Sequence, residues 1–230
     1  MKIGILQTGH APEEIIGEQG DYDAMFRRLL DGRGYSFITF NVVDGQFPDG
    51  PLAADAWLIT GSKHGAYEDH PWIPPLEALI RDIKTSGKPM IGVCFGHQII
   101  AQALGGKVEK FAGGWAVGKQ DYTIGGAPMA LNAWHQDQVV ELPDETEVIG
   151  SNAFCANAAL VIGGTVLTIQ PHPEFTANVI QGLIEHRSGT VPSELVENAR
   201  SNLTESTQSE AFRDLMIAHL EKHLAEAPND

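Results

Sequence analysis

The chain has 230 residues, 43% of them hydrophobic, which suits a folded domain with a sizeable core and excludes a mostly disordered chain. Thirty acidic residues against 15 basic ones give a formal net charge of −15. Such a surface repels phosphate backbones and anionic headgroups, so we expect neither nucleic-acid binding nor membrane docking.

The two cysteines, Cys94 and Cys155, are too few for a disulfide framework or a cysteine-rich zinc site, and they suit a reducing compartment. The first ten residues carry one lysine and an apolar run too short for a signal peptide. No stretch approaches the roughly 18 apolar residues that a membrane span needs. We therefore expect a cytoplasmic protein.

The first hundred residues alternate between short apolar runs and stretches with helical periodicity. Strands are predicted at KIGILQ (2–7), YSFITF (35–40), AWLIT (56–60) and PMIGV (89–93). Apolar residues recur at helical spacing over residues 22–30 and 75–84. This alternation predicts an α/β fold in which helices flank a central, mostly parallel sheet.

The middle of the chain has a different pattern. Between residues 105 and 167, glycines alternate with short β-rich pieces such as DYTI (121–124) and EVIG (147–150), which predicts antiparallel strands at the edge of the sheet, making it mixed. TVLTIQ (165–170) is typical of another buried strand. A helix is then expected to start at Pro173, because proline is tolerated at the first helical position.

The residues after Gly189 form a helix-rich tail. One helix is predicted over residues 192–200, and a second, amphipathic helix is indicated by Phe212, Leu215, Met216, Leu220 and Leu224. We expect a domain over residues 1–189 and a C-terminal helical extension of the same domain over residues 190–230. The extension could pack on the core or on a second subunit of a homo-oligomer.

The segment IGVCFGHQ (91–98) places a cysteine between two glycines, after a strand and before a helix. This is the cysteine counterpart of the nucleophile elbow of G-x-S-x-G hydrolases, in which Gly92 and Gly96 leave room for the turn. Cys94 would project at the carboxyl edge of the sheet, near a helix N-terminus that favours a thiolate. The N–H group of Phe95 could donate to an oxyanion. Taken alone, the pattern fits a buried structural cysteine equally well.

The segment QPHPEF (170–175) supplies a candidate base just after the strand that ends near Ile169. Residues two apart in an extended segment project to the same side, so Glu174 can fix the tautomer of His172. A histidine between two prolines is more often structural. Together with the elbow, however, it favours a Cys94–His172–Glu174 triad with His172 as general base.

Three motifs together resemble class I glutamine amidotransferases of the Cys-His-Glu type, including the amidotransferase domain of guanosine monophosphate synthetase and the stand-alone γ-glutamyl peptidases. They are GVCFGHQ (92–98), PHPE (171–174) and LITGS (58–62). The resemblance covers roughly residues 1–187 and implies a flavodoxin-like fold. It also implies that the backbone N–H of Gly61 or Ser62 completes an oxyanion hole with Phe95.

The resemblance extends to residues that would hold the substrate. Gln98, four positions after the cysteine, resembles a residue that contacts glutamine. NAWHQDQ (132–138) lies where the family uses a loop to hold the α-amino and carboxylate groups, which implicates His135, Gln136 and Asp137. A packed loop without a binding role is the alternative for this segment.

The implied chemistry is attack of Cys94 on a γ-glutamyl amide, formation of a thioester and hydrolysis by water, with no cofactor. The expected ligand is glutamine or another γ-glutamyl compound. Three hypotheses remain: a glutaminase that delivers ammonia to a separate synthase, an independent γ-glutamyl peptidase, and a catalytically idle binding or regulatory domain. The 230 residues contain neither a phosphate-binding loop nor an S-G-G-x-D-S motif, so no synthetase domain is expected within them.

The remaining histidines and the second cysteine receive no catalytic role from the sequence. His97 is expected in the first turn of a helix, and Cys155 in a strand-like AFC piece (153–155) as part of the core. No metal site is expected, because the spacing of His10, His64, His70, His186, His219 and His223 is not that of metal ligands.

Overall fold

A computed structural model describes residues 1–225 and their side chains through residue 223. The strands are β1 Lys2–Gln7, β2 Ser36–Asn41, β3 Ala56–Ile59, β4 Met90–Val93, β5 Lys107–Lys110, β6 Ala116–Ile124, β7 Ala127–His135, β8 Asp137–Glu141, β9 Thr146–Ser151, β10 Ala159–Ile162 and β11 Val166–Ile169. The helices are α1 Glu13–Gln19, α2 Tyr22–Leu29, α3 Ile73–Thr85, α4 Phe95–Ala103, α5 Ala177–His186, α6 Ser193–Ser201 and α7 Ser209–Ala225. Short 3₁₀ turns cover Val42–Asp44, Pro51–Ala53 and Ser188–Thr190.

The centre of the fold is a nine-stranded sheet in the order β2-β1-β3-β4-β11-β10-β9-β6-β7. Strands β2, β1, β3, β4 and β11 pair in parallel, in the 2-1-3-4-5 order of flavodoxin-like proteins. Strands β10, β9, β6 and β7 extend the sheet with antiparallel pairs, and β5 and β8 form a separate two-stranded sheet. The predicted mixed α/β sheet with an antiparallel edge is confirmed.

Both faces of the four parallel strands β1, β3, β4 and β11 are buried, whereas the edge strand β2 is partly exposed. Along β3, Trp57 and Ile59 belong to one hydrophobic cluster, whereas Ala56 and Leu58 belong to a second cluster, as expected from the two-residue period of a strand. The first cluster includes the apolar side of α3, and the second includes residues from α2 and α7. Helices therefore cover both faces, which explains why these strands are continuous apolar runs.

The C-terminal helices pack on the core of their own chain. Phe212, Met216, Ile217 and Leu220 of α7 are buried, whereas Leu215 is 41% exposed, so its predicted place on the apolar face is wrong. The helix turns Ile217 toward the sheet instead. The predicted apolar position Leu224 lies outside the described side chains. The division of the chain at residue 189 and the homo-oligomer stay predictions.

Two local expectations differ from the structure. No helix starts at Pro173; α5 begins at Ala177, where Thr176 caps it by accepting a hydrogen bond from the Val179 N–H. The segment before it stays extended because the N–H of His172 donates to the Asn132 carbonyl. Cys155 lies in the irregular connection between β9 and β10 and not in a strand, although it is buried as expected. Within residues 1–225, no helix has both the length and the apolar character that crossing a membrane would require.

Candidate active site

Cys94 occupies a sharp turn between β4 and α4. Its φ of 53° and ψ of −105° place it in a region that a residue with a side chain rarely adopts, at a cost of roughly 1–3 kcal/mol. Two backbone hydrogen bonds hold the turn: Cys94 N–H to Ile169 O at 2.9 Å, and Gly96 N–H to Thr60 O at 3.1 Å. The strained residue is thus fixed between the ends of β3 and β11.

Close packing explains the two glycines beside Cys94. A Cβ atom on Gly92 would lie 2.5 Å from the Gly96 carbonyl oxygen, and a Cβ on Gly96 would overlap the Ile59 backbone. The start of α4 therefore comes as near to β3 and β4 as the backbone allows. The G-x-C-x-G pattern follows from this approach and not from the cysteine alone.

His172 lies three residues beyond β11 and is almost fully buried. Its Nδ1 is 2.6 Å from Glu174 Oε1, and its ring stacks on Phe175 with centroids 3.8 Å apart and an interplanar angle of 4°. Asn132 secures both ends of this segment: its carbonyl accepts from the His172 N–H at 2.8 Å, and its Nδ2 donates to Phe175 O at 2.9 Å. The imidazole consequently has one well-defined position.

The imidazole of His172 also interacts directly with the side chain of Cys94. Burial by itself lowers the pKa of His172, but the charge of Glu174, followed by that of Cys94 and by hydrogen bonds to both, outweighs burial and raises this pKa well above its usual value. Because Glu174 occupies Nδ1, Nε2 is the nitrogen left for the thiol. The arrangement can hold a thiolate–imidazolium pair, and thiolate is the nucleophilic form of cysteine.

The turn after β3 lies against this pair. A Cβ on Gly61 would be 2.9 Å from His172 Cε1 and 3.7 Å from Cys94 Cβ. The buried hydroxyl of Thr8 shares its hydrogen between Thr60 O at 2.9 Å and Gly61 O at 3.0 Å, so the end of β1 supports the turn. Phe95 is the first residue of α4, and a first helical N–H has no partner inside its helix.

A cleft of about 520 Å³ opens beside Cys94 and His172. The predicted site residues Ser62, Gln98, His135, Gln136 and Asp137 line it, together with Trp115, Trp134, Lys63, Lys110 and Arg187. Gly61, Phe95 and Glu174 do not line it. The structure therefore brings the three predicted triad residues together and gathers the predicted substrate-binding residues around the same cleft.

The predicted substrate loop over residues 132–138 is not a loop. Strand β7 runs through His135, β8 begins at Asp137, and only Gln136 lies between them. The sequence does not show an apolar strand pattern here, because the site buries asparagine, histidine and glutamine side chains in these strands. The expected contacts with a substrate would thus come from a tight strand connection.

The ring of His135 has a free acceptor. Burial lowers its pKa to about 3, so the imidazole is neutral, and its Nδ1 donates to Asp137 O at 3.2 Å. A neutral imidazole with a proton on Nδ1 accepts at Nε2, and this buried Nε2 has no hydrogen-bond partner in the described part of the chain. It is available to a donor on a ligand.

Gln98 is more constrained than the sequence suggested. Its Nε2 donates to Asp137 O at 2.9 Å and to Gln170 Oε1 at 3.1 Å. Both amide hydrogens are therefore used inside the protein, and only Oε1 could meet a ligand.

Two residues that shape the site, Thr8 and Asn132, are not among the residues predicted from the sequence. Thr8 follows the first strand in the motif QTG, and a polar residue at the carboxyl edge of a parallel strand is itself a signal. Asn132 gives no comparable signal, because its role depends on β7 lying beside a segment 40 residues later.

The other histidines and Cys155 lie apart from this constellation or at its rim. His97 is buried in α4 with its Nδ1 2.7 Å from Thr168 Oγ1, and burial lowers its pKa to about 3. Burial raises the pKa of the Cys155 thiol to about 12, which suits an inert core residue. His64 and His70 meet around Glu68 at the rim, an arrangement that their spacing did not reveal.

Comparisons with known proteins show the family of the chain. The model of the family "Glutamine amidotransferase class-I" matches residues 55–186, more than half of the chain. A glutamine amidotransferase-like protein of Schizosaccharomyces pombe is 29% identical over 97% of this chain and 98% of the relative. Gamma-glutamyl peptidase 3 of Arabidopsis thaliana is 29% identical over 86% of this chain and 85% of its own length.

The crystal structure of a glutamine amidotransferase from Methylobacillus flagellatus has the same fold, with a TM-score of 0.77, 21% identity and coverage of 98% of this chain and 94% of that one. The family match spans β3, the elbow, the strands of the edge and the segment that carries His172. The chain belongs to the class-I glutamine amidotransferase family, which makes it an enzyme of the cysteine-dependent hydrolase kind.

Proposed function

We propose that this chain hydrolyses γ-glutamyl amides through a thioester on Cys94, with His172 and Glu174 completing the triad. The observation that carries the proposal is the buried imidazole of His172, which contacts the Cys94 side chain and lies 2.6 Å from a Glu174 oxygen through Nδ1. A nucleophile, a base and a group that orients the base are the elements of covalent acyl transfer.

The reaction begins when the Cys94 thiolate attacks the γ-carbonyl carbon. The N–H group of Phe95 and that of Gly61 or Ser62 stabilise the oxyanion. The imidazolium of His172 protonates the departing amine or ammonia, which leaves a glutamyl thioester. The neutral imidazole then takes a proton from water while the water oxygen attacks the thioester carbon. Collapse of this intermediate breaks the C–S bond, releases glutamate and restores the thiolate of Cys94 beside the imidazolium of His172.

The connection between β7 and β8 suits the amino-acid end of the substrate. His135 Nε2 is a buried acceptor, Gln98 has only Oε1 to offer, and the half-buried Asp137 carboxyl lines the same cleft. Three acceptors around one cleft favour a cationic α-ammonium group. The basic side chains of Lys63, Lys110 and Arg187 on the same cleft are available to carboxylates.

The leaving group is the least constrained part of the substrate. A cleft of about 520 Å³ lies within the range of ~300–1,000 Å³ that accommodates ligands larger than one amino acid. Trp115 and Trp134 add flat apolar surface to its wall. We therefore favour γ-glutamyl conjugates, in which an amine larger than ammonia departs, as the substrates of the lone chain.

The second candidate is release of ammonia from glutamine for a separate synthase. Membership of a glutamine amidotransferase family supports this function, and the same triad would perform it. In either case we expect the enzyme to work in the cytoplasm, where the reducing environment keeps Cys94 from being oxidised.

The deciding experiment measures amine and ammonia release from glutamine and from a series of γ-glutamyl peptides by the purified chain. We expect the peptides to be cleaved faster than glutamine, with Cys94→Ala inactive and Cys155→Ala unchanged. Mass spectrometry of quenched reactions should find a glutamyl adduct on Cys94. Full activity in Cys94→Ala would overturn the mechanism, and glutamine hydrolysis that requires an added synthase would favour the second candidate.

A further inference from the structure

A cluster of two histidines and one glutamate lies at the rim of the cleft, in the loop between β3 and α3. His64 Nδ1 is 3.4 Å from Glu68 Oε2, and His70 Nε2 is 2.7 Å from the same oxygen. One ligand atom from each residue lies within 4.8 Å of the others. The three side chains are half-buried or exposed, so an ion from solution can reach them.

These distances are close to those of a metal site. Ligand atoms of a tetrahedral zinc ion, bound at about 2.1 Å, lie about 3.4 Å apart. The His64–Glu68 pair already has this separation, and the Glu68–His70 pair would open by about 0.7 Å when an ion replaces the shared proton. Two imidazoles with one carboxylate are a known zinc ligand set that leaves a fourth position open.

Neighbouring aromatic rings hold both imidazoles. His70 stacks on Trp72 with centroids 5.9 Å apart and an interplanar angle of 12°, and His64 meets the same indole edge-on at 5.8 Å. Trp72 in turn lies 5.5 Å from Phe95, the residue after Cys94. This packing restricts the rings before any ion binds, which lowers the entropic cost of binding.

We propose that His64, Glu68 and His70 bind one divalent transition-metal ion of the Zn²⁺ class. The fourth position is filled by water or by a ligand in the cleft, since His64 and Glu68 line the same cleft as Cys94. The ion would cross-link three residues of the loop that follows Gly61 and add positive charge at the entrance of the cleft. The proposal does not rest on the proposed hydrolase activity, because none of its ligands belongs to the triad.

The test is a titration of untagged Cys94→Ala protein with ZnCl₂ by isothermal calorimetry. This background removes the Cys94 thiol, which together with His172 could also bind the ion. We expect one ion per chain, and a loss of affinity of at least about 10–100-fold in His64→Gln or His70→Gln, since even outer partners of metal ligands cost this much. His186→Gln, on the same cleft but outside the cluster, should bind as before.

Cobalt(II) provides a second readout, because a site with imidazole and carboxylate ligands in tetrahedral geometry gives visible absorption bands that free hexaaqua ion lacks. Circular dichroism without metal should show that the His64→Gln/His70→Gln double variant remains folded. The absence of saturable Zn²⁺ binding in the parent would overturn the proposal. Binding that survives in the folded double variant would overturn it equally, since the ion would then lie elsewhere.

Discussion

Gly61→Ala tests whether the position of His172 limits the reaction. The φ of Gly61 lies outside the left-handed region, so alanine fits the backbone, and its N–H remains available to an oxyanion. The new Cβ would lie 2.9 Å from His172 Cε1. Ordinary carbon–carbon contact begins at about 3.5 Å, so the ring must retreat by about 0.6 Å or more.

The ring has little freedom to retreat. Glu174 holds Nδ1 at 2.6 Å, Phe175 stacks on one face at 3.8 Å, and the backbone of His172 is bonded to Asn132. A misplacement of about 1 Å costs about 10²-fold in rate, so we expect kcat/KM to fall by about that factor. Overpacking should also lower the free energy of unfolding by about 1–3 kcal/mol.

The assay is release of amine from a γ-glutamyl anilide, with urea denaturation for stability. Gly17→Ala is the matched control, because its Cβ meets nothing within 4 Å in the exposed middle of α1, and it should stabilise the protein by about 0.5–1 kcal/mol at full activity. If Gly61→Ala keeps more than about one third of the activity and its full stability, the reasoning about a fixed imidazole is refuted.

Three further substitutions address the site and the core. Glu174→Gln should lower kcat by about 10⁴, the loss that an amide causes in a serine triad by favouring the wrong tautomer of the base; a loss below tenfold in the hydrolysis assay would contradict an orienting role for this carboxylate. Burial lowers the pKa of His97 to about 3 in the folded protein, whereas the unfolded chain has a value near 6.5. Between these two pH values only the unfolded state has a protonated His97, so the free energy of unfolding falls as the pH falls. His97→Gln should therefore flatten the dependence of unfolding free energy on pH by up to about 1.4 kcal/mol per pH unit at pH 4–6, and parallel urea-denaturation profiles would refute it. Thr8→Val removes the hydroxyl that supports the Gly61 carbonyl and should cost about 1–3 kcal/mol in urea denaturation, whereas Thr8→Ser should not.

Most of the parallel half of the fold could be predicted from the sequence because four of its five strands are buried on both faces. β1, β3, β4 and β11 are continuous apolar runs bounded by turn residues, a local property that needs no partner. The triad was also accessible, since the elbow is defined by five consecutive positions and His172 lies two positions from Glu174. Short-range patterns sufficed in both cases.

The segments for which the prediction is wrong depend on contacts that are distant in sequence. The extended stretch around His172 stays out of α5 because of Asn132, which no local pattern predicts. The end of β7 resembles a loop because an active site places polar side chains where a core strand would carry apolar ones. The His64–Glu68–His70 group is closed by the folding of an irregular loop, which sequence spacing alone cannot anticipate.

The parallel pairing of Val93 with Ile169 determines where the chain can change its length. Cys94 follows that pair by one residue and His172 by three. One residue inserted between Val93 and Cys94, or between Ile169 and His172, would shift the catalytic side chain by about 3.3 Å and turn it to the opposite face of the sheet. The hairpin turn at Gly125 and Gly126, which lies between Cys94 and His172 in the sequence, carries no such restriction because it is away from the cleft. Insertions there would lengthen the protein without changing the distance between its nucleophile and its base.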